Sequence, residues 1–138
     1  MISFVNFLLG RVPIRVVVLD DRSGADDGPA ATLRCENDIA VVGRSGPGRH
    51  IVELIRKVRP DVVVVDLTAP GARLATIARL AASCPEASVL LLAPAIGPEH
   101  MEAAYQLGIG GCLLDNSKAE DLGKAIRRIA RGEQANDA

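Results

Sequence analysis

Two near-continuous β-branched runs, each closed by aspartate, constrain this chain more than any other feature. They are IRVVVL from Ile14 to Leu19 before Asp20-Asp21, and VVVV from Val62 to Val65 before Asp66. A strand with one face in water alternates apolar and polar residues, whereas a strand that is apolar throughout must be covered on both faces. Val89 to Leu92 (VLLL) repeats the pattern. Each run is followed by a turn and a segment of helical periodicity, so the chain reads as alternating strands and helices around a parallel sheet.

Five strands and five helices are expected. The strands are Ile14 to Leu19, Ala40 to Val42, Val62 to Val65, Val89 to Leu92 and Cys112 to Leu114. The first helix has Gly28-Pro29 where its interior would fall, and proline there costs a hydrogen bond and clashes with the preceding turn, so the helix should begin late, near Pro29. In the second, Ile51, Leu54, Ile55 and Val58 share a face, and Pro60 ends it. The third should run from Leu74 to Ser83, before Pro85. The fourth should open at Pro98 and close at Gly108, with proline inside the start and glycine past the end. The fifth starts on a capping box, Ser117 with Glu120, and presents Leu122, Ile126 and Ile129 on one face until Gly132. Two Gly-rich loops, RSGADDG before the first helix and GRSGPGR from Gly43 to Arg49 before the second, remain.

A length of 138 residues suits one domain with its own core. We divide it into an N-terminal extension (1–13), the domain proper (14–133) and a polar tail (134–138) that should be disordered. Sixteen basic against 17 acidic side chains give no basic excess that would advertise nucleic acid. The apolar stretch Ile2 to Leu9 has no basic residue before it and no small-residue cleavage site after it, so it is read as neither signal peptide nor membrane span. Two of the chain's three aromatic residues, Phe4 and Phe7, fall in the extension, which should bury them against the domain or a partner. Cys35, Cys84 and Cys112 are widely spaced and form no C-x-x-C pair, which suggests buried thiols in a reducing, cytoplasmic compartment. His50 and His100 are placed at helix starts or surfaces, and no nucleophile and base pair suggests an enzyme.

In an open parallel sheet, ligands gather at the carboxyl ends of the strands, where the strand order reverses. Asp20, Asp21 and Asp66 all land there. Neighbouring strands lie about 5 Å apart, so three carboxylates would share one small volume. Their repulsion favours a bound hard cation or a raised pKa on one of them.

These aspartates, with DIAVVG, RPDVVVVDLTAPG, GIGGCLLD and the closing AIRRIARGE, resemble the receiver domain of bacterial response regulators, of the kind joined to a LuxR or NarL type DNA-binding half. The likeness runs from about Ile14 to Glu133 and implies a doubly wound, flavodoxin-like (βα)5 fold. It implies that Asp66 is the phosphoacceptor for a sensor histidine kinase. It also implies Mg²⁺ as cofactor, with Asp21, Asp66 and the carbonyl of Thr68 as ligands and Asp20 as an outer partner. Homodimerisation is expected, and DNA contact only through a C-terminal domain absent from this chain. The chain ends within six residues of Gly132, as expected of a stand-alone receiver or of the N-terminal half of a transcription factor.

Three switch positions depart from the receiver pattern. Ala93 stands where a hydroxyl should end the fourth strand, Asp115 where a lysine should end the fifth, and Cys112 where an aromatic should lie three residues earlier. Ala72, Arg73 and Leu74 also replace the usual glycine-rich turn. A carboxylate in place of lysine adds a fourth acid, and one like-charge contact at 4 Å costs about 4 kcal/mol at an effective dielectric near 20. Arg22, Arg44 or Arg49 could offset part of that charge or could be solvated surface groups. Three functions fit: a phosphorylation-independent interaction domain, a ligand-sensing or metal-sensing pseudo-receiver, and a phosphoacceptor receiver despite its losses.

Overall fold

The structure is a computed structural model and describes residues 12–21, 28–46, 48, 50–93, 98–114 and 119–136. Its strands are β1 (Ile14–Asp20), β2 (Ile39–Ser45), β3 (Val62–Asp66), β4 (Ser88–Ala93), β5 (Gly111–Leu114) and β6 (Ala135–Asn136). Its helices are α1 (Pro29–Leu33), α2 (Ile51–Val58), α3 (Pro70–Ser83), α4 (Pro98–Gln106) and α5 (Ala119–Ala130). The sheet is parallel throughout, in the order β2-β1-β3-β4-β5-β6. The chain leaves β1 toward one edge for β2 and toward the other for β3, so the order reverses beside β1.

Alternation along the apolar strands divides the core in two, as a period of two requires. Val16, Val18, Val62, Val64, Leu90 and Leu92 face α1 and α5, meeting Leu33, Leu122, Ile126 and Ile129. Val17, Leu19, Val63, Val65, Val89 and Leu91 face α2, α3 and α4, meeting Ile51, Ile55, Ile77, Leu80 and Ala104. Both faces of β1 and β3 are therefore apolar because both are covered: the seven valines Val16–Val18 and Val62–Val65, with Leu19, are all fully buried.

The expected fold is present, with several differences of detail. β2 extends past Val42 to take in Gly43, Arg44 and Ser45, where the sequence suggests a loop; a one-residue register shift opposite Val16 and Val17 lets the strand continue. α3 starts at Pro70, not Leu74, because proline at the first helical position needs no N–H and already has a helical φ. The tail, expected to be disordered, places Ala135 and Asn136 beside Gly111 and Cys112 as β6. Gly132, at φ +82°, makes the left-handed turn that redirects the chain from α5 to this edge. Cys84 and Cys112 are buried, but Cys35 is exposed: α1 is only five residues long, and Cys35 lies in the turn after it, before the chain regains cover at Ile39. Phe4, Phe7 and the Ser117 cap lie outside the described residues. No described helix is long and apolar enough to cross a membrane.

Candidate functional site

The tips of β1 and β3 sit side by side at the reversal of strand order, and Asp20 is the register partner of Asp66. Two of the three aspartates are thus placed together by strand pairing alone. Asp20 is buried, at 3% exposure, and Asp66 is half-buried. Asp21, one residue past β1, is exposed and crosses to the loop after β3: its Oδ2 accepts the backbone N–H of Thr68 at 2.9 Å and also the Thr68 hydroxyl.

A buried carboxylate needs a partner, since desolvation without compensation costs several kcal/mol. Asp20 has one. The Nε of Arg44 donates to both carboxylate oxygens, at 3.3 and 3.2 Å, and the guanidinium is itself three-quarters covered. Arg44 is thus no solvated surface charge. Arg22 and Arg49 lie outside the described residues.

The receiver resemblance implies a magnesium ion held by Asp21, Asp66 and Thr68, with Asp20 behind. The residues do not fit that ion as they stand. Both oxygens of Asp20 are turned to a guanidinium, and one oxygen of Asp21 accepts two donors from Thr68. Among the described residues no group of three or more His, Cys, Asp or Glu side chains is arranged to hold a metal.

Ala93 closes β4 beside Leu114, and its methyl group is 1% exposed. A buried methyl offers nothing to a phosphoryl oxygen. Cys112 is buried on the α4 side of the sheet, in the cluster that Tyr105 of α4 joins, and its thiol accounts for no ring at that position. Burial raises the Tyr105 hydroxyl above its ordinary value, and Cys112 adds to the shift. Asp115 lies outside the described residues. His50 stands at the start of α2, largely in solvent and 3.5 Å from Glu53.

Sequence reasoning missed Arg73. It occupies the first turn of α3 on the stripe continued by Ile77, Leu80 and Cys84, and is 5% exposed. Its Nη1 is buried without a hydrogen-bond partner among the described residues. The signal was a charged residue in register with an apolar stripe, hidden by placing the helix start at Leu74.

No protein-family model matches the sequence. The oxygen regulatory protein NreC of Staphylococcus aureus is 30% identical over 122 residues, which cover 87% of this chain and 56% of NreC. The chain therefore spans little more than half the length of the curated relatives it matches. The isolated receiver domain of Salmonella RcsB, solved with a phosphomimetic, has the same fold, with a TM-score of 0.76 at 23% identity over 90% of this chain and 93% of that one. The signal receiver domain of the response regulator NarL from Mycobacterium tuberculosis aligns with a TM-score of 0.79 at 30% identity, over 88% of this chain and 99% of that domain. With likeness extending over nearly the whole of the mycobacterial domain, this chain belongs to the receiver domains of NarL/LuxR-type response regulators.

Proposed function

We propose that this receiver works without phosphorylation, passing its signal through protein contacts, with self-association as the first of them. The observation that carries the reading is the end of β4, where a buried Ala93 methyl replaces the hydroxyl that would follow a phosphoryl group. The Cys112 thiol removes the ring that would turn with it. A modification with no two-state element to bias transmits nothing. Asp115, in place of lysine, would add repulsion toward the two negative charges a phosphoryl group brings. The domain acts in this reading as a cytoplasmic signalling module and not as an enzyme, and DNA is reached only through a further domain, as in transcription regulators of this family.

Sedimentation of the wild type and of Asp66→Asn, each with and without a small phosphodonor, tests the proposal. Asn keeps the shape of the acceptor and blocks an acyl phosphate. The expected result is the same dimer fraction in all four samples. A wild type that is monomeric until the phosphodonor is added, beside an Asp66→Asn variant that stays monomeric, would contradict it. That outcome belongs to the second reading, a phosphoacceptor receiver, which the half-buried Asp66 at the strand tip favours.

A further inference from the structure

We propose that Arg44 is a built-in cation that takes the place of a divalent metal ion in the acid pocket, leaving the domain indifferent to Mg²⁺. The inference rests on reading Asp20, Asp21 and Asp66 as a receiver's acid pocket, and it deepens that reading by naming what balances the charge.

The bulge in β2 is what brings Arg44 to the pocket. Side chains alternate along a strand, so a one-residue slip moves every later residue to the opposite face. Val16 pairs with Val41, but Val17 pairs with Gly43, leaving Val42 as the extra residue. Ile39 and Val41 pack on the α1 and α5 side, while Val42 packs on the other. Regular alternation would send Arg44 to the side of Val42. The extra residue instead makes Arg44 the register partner of Val18, which lies on the same face as Asp20 two residues on. Bulges near functional sites re-aim side chains in this way.

The chemistry of the pair supports the same role. A guanidinium is always charged and cannot leave, unlike an ion in exchange with solvent. Mg²⁺ demands near-octahedral oxygen geometry at short distances and gives up its water reluctantly. To bind here it would have to compete with a covalently tethered cation beside a carboxylate that is 3% exposed. By placing arginine there, the extra residue of the strand supplies a fixed positive charge against the buried carboxylate of Asp20, beside its register partner Asp66.

Thermal unfolding of wild type, Arg44→Gln and Arg44→Lys tests this, each in metal-free buffer, with millimolar MgCl2, and with NaCl of matched ionic strength. Wild type and Arg44→Lys, which keeps the charge, should respond to the two salts alike. Arg44→Gln should melt lower without metal and gain about 3 °C more from MgCl2 than from NaCl. If Arg44→Gln does not fold in metal-free buffer, MgCl2 and not NaCl should restore cooperative unfolding. The proposal is overturned if wild type or Arg44→Lys gains as much from MgCl2 as Arg44→Gln does, or if Arg44→Gln responds to neither salt specifically. A wild type that binds Mg²⁺ yet takes no phosphoryl group sinks this inference and leaves the proposed function standing; phosphoryl transfer to Asp66 that proceeds equally without Mg²⁺ does the reverse.

Discussion

Arg73 carries a charge into the inner stripe of α3 and leaves Nη1 without a hydrogen-bond partner among the described residues. An unsatisfied buried donor costs about 1–3 kcal/mol, and an unbranched apolar side chain of similar length would remove that cost while keeping the packing of the stem. Arg73→Met should therefore raise the melting temperature, by about 3–6 °C for a domain of this size. A variant that melts below wild type would show that the guanidinium holds a stabilising contact. The same residue shows where the sequence stopped being legible. Asp20 and Asp66 could be placed in advance because they end apolar runs of period two, and strand pairing then puts them side by side. Arg73 could not, because whether it faces in or out depends on where α3 begins. A start at Pro70 and a start at Leu74 use the same propensities and differ only in whether the turn after β3 closes into a helix.

At the scale of elements, the short α1 and the turn after it are tied to α5 by one arginine. Arg127 donates from Nε to Asp38 at 2.7 Å, and from Nη2 to Asp38 and to Glu36, each at 2.9 Å. This two-pronged geometry is the strong form of the ion pair. It fastens a helix of only five residues and the turn leading into β2. The Arg127 hydrogen bond, ahead of the opposing effect of burial, holds the Asp38 carboxyl below its ordinary value. A lowered folded-state pKa stabilises the fold fully above the ordinary carboxylate range and is lost as pH falls through the lowered value. Asp38→Asn should thus melt below wild type at neutral pH, by less than about 1 kcal/mol since Asp38 is partly exposed to screening solvent. The gap between the two proteins should close in acid. A gap that stays constant from neutral to acid pH would assign the effect to shape and not to charge. Neither this tie nor the β2 bulge was legible in advance. Glu36 and Asp38 lie about ninety residues from Arg127, and a register shift leaves no mark in a sequence where Val41, Val42 and Gly43 are all compatible with a strand. β6 was hidden for a related reason: two polar-tail residues make a strand only because the β5 edge is there to pair with.

For the whole molecule, fold and pocket follow from the same constraint. Strands apolar on both faces need helices on both faces, and covering both from one chain reverses the strand order beside β1. That reversal puts Asp20 and Asp66 side by side at the open end of the sheet, so the receiver architecture and the placement of these two aspartates were readable together. What the pocket has become was only partly readable. The losses at Ala93 and Cys112 show as residue types, but the gain of an internal cation at Arg44 depends on the bulge that re-aims it. Under the proposed function, Asp66 keeps its place beside Asp20 but takes no phosphoryl group. Intact-mass spectrometry of the domain after incubation with a small phosphodonor and Mg²⁺, with Asp66→Asn as control, tests it most directly. The expected result is an unmodified wild type indistinguishable from the control; near-complete addition of one phosphoryl group to the wild type and none to Asp66→Asn would contradict it.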